Sequence, residues 1–270
     1  MRTLVAALTL LVLTVFCGTV VLVARMLGVP DGAGTIYEKA PRWWARGMLF
    51  MSGIDVVIHG DERMRTGEPR IFASNHASWY DVLVLVAYLP RYSFVAKAEI
   101  FRVPLFGSAA RAVGTIPIER ENRKAAFLSY EEAAQRMRGG RNVVVFPEGT
   151  RGASYALRPF KKGPFVLAVA AAAPIVPTLI HGTIEALPRG SLWLTPGRVD
   201  VHLLEPVPTA GCSYDDRDAL AREVYDRIAA EQLRLYGIAS PPSLPTSAER
   251  VPPGESQEAA TSGSHSAPAA

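Results

Sequence analysis

The stretch Ser74-Asn75-His76-Ala77-Ser78-Trp79-Tyr80-Asp81 separates two apolar runs, Ile71 to Ala73 before it and Val82 to Tyr88 after it. An apolar run that stops at Ser74-Asn75 reads as a buried strand leaving a sheet. Asp81-Val-Leu-Val-Leu-Val-Ala reads as a helix with an acid in its first turn. His76 then lies on the strand-to-helix turn. On one continuous helix, residues five apart point roughly 140° away from each other, so His76 and Asp81 meet only if the histidine is still in the turn. Placed that way, the carboxylate orients the imidazole and steadies its charged form while the other ring nitrogen takes a proton. This is the base-and-orienter half of a triad, and it needs no protein nucleophile if the substrate brings its own hydroxyl. The same spacing also fits a surface histidine beside a helix-capping acid.

Working outward, the strand-helix-strand alternation continues. Strands are expected at 54–59, 70–73, 92–97, 112–120, 142–146, 175–180 and 197–204, and helices at 122–138, 164–172 and 215–236. Asn142-Val-Val-Val-Phe146 is apolar throughout, the pattern of a central parallel strand. The helix over 122–138 turns Ala126, Leu128, Ala133 and Met137 inward and closes at Gly139-Gly140. The last helix turns Leu220, Val224, Ile228, Leu233 and Leu235 inward. The pattern predicts an α/β fold, a mostly parallel central sheet flanked by helices, preceded by an N-terminal transmembrane helix. Sites in such sheets gather at the carboxyl ends of the strands. His76 with Asp81, Lys97, Arg120 and the turn from Glu148 to Arg151 all fall there. One base with its carboxylate and several cations at one edge suit a phosphate-bearing substrate whose hydroxyl must lose a proton. Each cation taken singly also fits a solvated surface charge.

Residues 3–24 carry no charge, about 22 residues, enough to cross a hydrocarbon layer of roughly 30 Å as a helix. The run is long for a cleaved signal and lacks a small residue three before a cut, so it reads as an uncleaved anchor over 1–28. Lys39, Arg42 and Arg46 follow it, which leans toward a cell (inner) membrane protein whose main body faces the cytoplasm. Over 36–53, Trp43, Trp44 and Phe50 mix with arginines as in a helix lying at a membrane interface, though a core-packing helix has the same pattern. The main body spans 54–238. From 239 to 270 the chain turns to Pro, Ser, Ala, Gly and Glu, the composition of a disordered tail.

The chain of 270 residues is 49% hydrophobic and 20% charged, with a net charge of +4. That balance suits a membrane surface or a phosphorylated substrate. No Lys/Arg-rich run or aromatic RNA-binding signature argues for nucleic acid. Two cysteines, Cys17 and Cys212, argue against a disulfide framework. His59, His181 and His202 look like strand residues, without ligand spacing for a metal.

Four segments carry a resemblance: Asn75-His76-Ala-Ser-Trp-Tyr-Asp81, Gly114-Thr-Ile-Pro-Ile-Glu-Arg120, Phe146-Pro-Glu-Gly-Thr-Arg151 and Ile175-Val-Pro177-Thr-Leu. In this order, over 54–202, they resemble the blocks of the glycerolipid acyltransferases, nearest to the 1-acylglycerol-3-phosphate acyltransferases. In the second block Pro117-Ile118-Glu119-Arg120 stands where an aromatic-Ile-Asp-Arg is frequent, which leaves Arg120 in register.

The resemblance implies a glycerol-3-phosphate acyltransferase-like fold over 54–238. It also implies transfer of a fatty acyl chain from acyl-CoA or acyl carrier protein to the hydroxyl of a lysophospholipid acceptor, with no cofactor and no metal. His76 would be the base and Asp81 its partner. Asn75, Arg120, Glu148, Gly149 and Thr150 would shape the acceptor site, with Arg120 on the phosphate; beyond the resemblance, Lys97 and Arg151 at the same edge are read as further anion contacts. Glycerol-3-phosphate or lyso-ornithine lipid are alternative acceptors. A non-catalytic lipid-binding protein is another reading, against which the intact His76, Asp81 and Arg120 argue. A serine hydrolase would need a Gly-x-Ser-x-Gly elbow that this sequence lacks.

Overall fold

The computed structural model describes residues 2–64, 67–119 and 123–243. Seven strands form one sheet: β1 Ile54–His59, β2 Ile71–Ser74, β3 Tyr92–Lys97, β4 Ile116–Ile118, β5 Asn142–Val145, β6 Ile175–His181 and β7 Gly197–Leu203, in the spatial order β1-β7-β6-β2-β5-β3-β4. The five strands from β6 to β4 are parallel to one another, β7 runs antiparallel to β6, and β1 is parallel to β7. The five parallel strands therefore deliver their carboxyl ends to one edge of the sheet.

The helices are α1 Arg2–Met26, α2 Ile36–Ser52, α3 Tyr80–Tyr88, α4 Phe106–Ala112, α5 Arg123–Arg138, α6 Gly163–Ala171, α7 Thr183–Ala186 and α8 Arg217–Tyr236. The central strands are buried on both faces, which is why they read as unbroken apolar runs. Ile71, Ala73, Val143 and Val145 pack on one side against α5, α6 and α8. Phe72 and Val144 point the other way, against α2, α3 and α7. Each of the valine, isoleucine and phenylalanine side chains contributes roughly 1.5–3 kcal/mol by leaving water.

Several expectations are corrected. The 112–120 segment yields a strand of three residues, preceded by α4. Leu128 and Leu233 are exposed, not inward. In α8, Gln232 takes the buried place, donating to the Tyr155 carbonyl at 2.7 Å. Residues 240 and 241, read as the start of a disordered tail, are pinned: Ser240 Oγ accepts from the Leu157 amide at 2.9 Å, and the Pro241 carbonyl from Tyr225 Oη at 2.6 Å. The rest of that tail, from 244, lies outside the described residues.

Helix α1 is long and apolar enough to cross a membrane. One face of it packs on the body. Cys17, Val21 and Ala24 meet Tyr37 and Ala40 of α2, and the Trp44 indole donates to Thr14 Oγ1 at 3.0 Å. The opposite face, with Leu4, Leu8 and Leu11, is exposed. The arginines of α2 do not reach outward as an interfacial helix would have them do. Arg46 donates to the Ala87 carbonyl and Arg42 to the Leu89 carbonyl, so both cations cap the last turn of α3.

Candidate active site

Strand β2 ends at Ser74, and the chain crosses five residues before α3 begins. Asp81, in the first turn of α3, collects four donors. Its Oδ2 accepts from His76 Nδ1 at 2.9 Å, the Ala77 amide at 2.7 Å and the Ser78 amide at 2.8 Å, and its Oδ1 accepts from Thr183 Oγ1 at 2.6 Å. The residue is fully buried. A buried carboxylate without such partners would be strongly penalised, so the turn and the carboxylate define each other. With Nδ1 spent on Asp81, Nε2 is left as the ring's basic position. The imidazole is stacked on Phe146, ring centroids 4.0 Å apart, and its side chain is 13% exposed. Orientation and partial access are therefore both built in.

The turn after β5 closes beneath the histidine. Glu148 Oε1 accepts from the His76 amide at 2.7 Å, Oε2 accepts from the Arg158 amide at 3.2 Å, and the Gly152 amide donates to the His76 carbonyl at 2.8 Å. Gly149 has φ +74°, and a Cβ there would lie 2.8 Å from Lys161 Cε. The positive φ favours glycine here, while the lysine end could swing aside for a side chain.

Burial, assisted by the Asp81 charge, pushes the Glu148 carboxyl from 4.5 up to about 7. A carboxyl raised in the folded state stabilises the fold below its unfolded pKa, and that contribution is lost as pH climbs through the folded value. Glu148 should therefore make the protein less stable between pH 4.5 and 7, by on the order of 3 kcal/mol. Glu148→Gln should remove that part of the slope. Urea unfolding of both proteins at pH 5 and pH 7.5 reads the difference, and parallel profiles would show that the carboxyl carries no such penalty.

The other predicted site residues separate into groups. Asn75 is buried, and both ends of its amide are held by the Ile180 backbone, Nδ2 donating at 2.9 Å and Oδ1 accepting at 2.7 Å. It ties β2 to β6 behind the histidine. Glu148 faces two backbone amides, those of His76 and Arg158. Thr150 is exposed at the turn. Arg151 lays its guanidinium over the Trp79 ring, 4.5 Å from the centroid, and burial together with the charge of Arg189 holds it below the ordinary arginine range. Lys97 is exposed and pairs with Glu99 at 2.9 Å. Arg120 lies outside the described residues.

Thr183 was missed. It follows β6, whose carboxyl end shares the edge of β2 and β5, so the rule that pointed to Lys97 also pointed to Gly182-Thr183. Thr183→Val should cost about 1–3 kcal/mol by leaving Asp81 Oδ1 without a donor, and should lower turnover by up to roughly tenfold. Thr183→Ser should restore both. Chemical denaturation and initial rates check this together.

Among the described residues, one group sits close enough to hold a metal: His59, Asp200 and His202. Neighbouring strands bring them together: His59 stands opposite His202 across β1 and β7, and Asp200 opposite His181 across β7 and β6. Their donor atoms are already engaged. Arg198 grips the Asp200 carboxylate, His59 Nε2 pairs with it at 2.7 Å, and His202 Nε2 pairs with Tyr236 Oη at 2.7 Å.

Comparison with known proteins bears on this arrangement. The acyltransferase family model matches residues 55–181, the span that carries both the histidine turn and the Glu148 turn. The 1-acyl-sn-glycerol-3-phosphate acyltransferase alpha of Ovis aries is 34% identical over 189 residues, 69% of this chain and 64% of that protein. The beta form of Homo sapiens is 31% identical over 208 residues, 76% of this chain and 75% of that one. The crystal structure of the 1-acyl-sn-glycerophosphate acyltransferase PlsC from Thermotoga maritima superposes with a TM-score of 0.69 at 25% identity, covering 89% of this chain and all of that one. The chain thus spans about 64% of the length of the sheep relative. With the family model matched over 55–181, a relative 31% identical covered to 75% of its length and the fold shared with PlsC, the chain belongs to the acyltransferase family that includes the 1-acyl-sn-glycerol-3-phosphate acyltransferases.

Proposed function

We propose that the chain transfers a fatty acyl group from a thioester, acyl-CoA or acyl carrier protein, to the free hydroxyl of lysophosphatidic acid, giving phosphatidic acid. The observation that carries this reading is the imidazole held at Nδ1 by a buried carboxylate, with Nε2 free at a partly open edge. In the reaction Nε2 takes the acceptor hydroxyl's proton as the oxygen attacks the thioester carbonyl. The carbon–sulfur bond breaks, and the imidazolium returns the proton to the departing thiolate. Asp81 stabilises the charge on the ring between these steps. No acyl-enzyme is needed, so Ser78, whose hydroxyl donates to the Leu187 carbonyl, has no nucleophilic part.

For the acceptor phosphate, Arg151 is held close to the histidine turn and forms no ion pair among the described residues. Arg120, by its place in the second block, is assigned to the same phosphate. Gly149 and Thr150 give the approach its shape. The exposed face of α1 sits in the bilayer, and the body is placed on the cytoplasmic face of the cell membrane, where activated acyl donors are made.

A transfer assay on detergent-solubilised protein tests this, with labelled acyl-CoA and acyl carrier protein offered against lysophosphatidic acid, glycerol-3-phosphate and lyso-ornithine lipid. Product from lysophosphatidic acid supports the reading. Product only from another acceptor keeps the chemistry and replaces the substrate, and no product from folded protein overturns it.

A further inference from the structure

The segment between α7 and β7, residues 188–196, exposes two large apolar side chains side by side, Leu192 at 81% and Trp193 at 76%. Its backbone is tied at several points. The Ser191 amide donates to the Pro188 carbonyl at 3.0 Å, the Thr195 amide to the Ala186 carbonyl at 3.0 Å, and the Trp193 amide to Ser191 Oγ at 2.9 Å. The tips are thus presented outward from an anchored loop.

Where the loop is tied says what it serves. Its start is held to the histidine turn, because Ser78 Oγ donates to the Leu187 carbonyl at 2.9 Å and Arg189 Nη1 to the Arg151 carbonyl at 3.0 Å. Its far end is held to α1 and to the end of α2. The Leu194 amide donates to Thr3 Oγ1 of α1 at 3.3 Å, and the Gly197 amide to the Gly53 carbonyl at the end of α2 at 3.2 Å. Around those ties lie the exposed Leu4 of α1 and Phe50 of α2. Leu192 and Trp193 therefore continue the apolar surface of α1 toward the active site. A large apolar patch that continues a membrane-facing surface marks a lipid contact, tryptophan is the residue suited to the boundary between headgroup and chain, and the exposed Arg189 supplies positive charge for lipid phosphates.

We propose that the 188–196 loop is a second membrane contact, Leu192 and Trp193 entering the interfacial layer of a bilayer with anionic headgroups beside the N-terminal half of α1, so that a lipid acceptor passes along the loop to His76. The docking stands on geometry alone, and the passage of an acceptor rests on the function proposed above.

Two measurements test it. In the first, full-length protein is bound to phosphatidylcholine–phosphatidylglycerol vesicles carrying brominated chains, and tryptophan quenching is compared with Trp193→Phe. Bromine quenching should be smaller in the variant by the share of Trp193, one of 4 tryptophans. Equal quenching in both proteins overturns the docking, as does finding Trp193 buried in a self-associated species by light scattering. In the second, Leu192→Ser/Trp193→Ser should lose about tenfold or more of its activity on long-chain lysophosphatidic acid held in vesicles, the scale expected for withdrawing one large buried apolar side chain, while keeping its activity on a water-soluble short-chain acceptor. Equal loss on both acceptors would make the loop structural and overturn the acceptor route. Wild-type inactivity on both acceptors would count against the proposed function and leave the quenching result standing.

Discussion

His76→Ala is expected to lower turnover by on the order of 10²–10⁴, the range for removing a positioned general base, while the protein stays folded. Both halves follow from one set of contacts. In the proposed reaction the ring is the proton acceptor, at Nε2. Yet the ring is only one of four donors to Asp81, and without it the Ala77 and Ser78 amides and Thr183 Oγ1 remain. The carboxylate is not orphaned, and the space left against Phe146 opens toward solvent. The stability loss should therefore stay near 1–2 kcal/mol. Steady-state rates at saturating acceptor, with a thermal midpoint on the same preparation, separate the two effects. Near-wild-type turnover would remove His76 from the mechanism.

That the histidine and the aspartate could be paired from sequence has a local cause. Both lie within one strand-turn-helix unit, and a five-residue separation meets only if the turn falls between them. The apolar runs on either side fixed where the turn falls. The same logic located β5 and the Glu148 turn after it, because a strand buried on both faces leaves an uninterrupted apolar run. Contacts that depend on strand order were not legible. Thr183 lies 102 residues from Asp81 and reaches it only because β6 pairs with β2. His59 meets His202 only because β1 pairs with β7, far apart in sequence. Charge was also read too simply. Arg42 and Arg46 were read as part of a helix lying at a membrane interface and instead donate to the carbonyls that end α3. A charged side chain's partner is set by which backbone ends lie near it, and composition does not record that.

Asp81→Asn should reduce turnover by roughly 10³–10⁴, the size of loss expected when the group orienting a catalytic imidazole becomes neutral, with much less effect on stability than Asp81→Ala. Asparagine can be seated without an unpaired group. Its oxygen takes the Oδ2 place and keeps the two amides and the ring, and its Nδ2 faces Thr183 Oγ1, which turns to accept rather than donate. What is lost is the negative charge facing the imidazolium of the proposed reaction, so the cost falls on the rate. Alanine leaves the Ala77 and Ser78 amides and the Thr183 hydroxyl without their acceptor in a fully buried pocket, and should cost about 3–5 kcal/mol as well as the activity. Urea unfolding and initial rates on the two variants thus give different pairs of numbers. If asparagine proves as destabilising as alanine, the four-donor cradle holds the fold through the charge itself. If asparagine retains wild-type turnover, the imidazole needs no anionic partner and the assigned proton transfer fails.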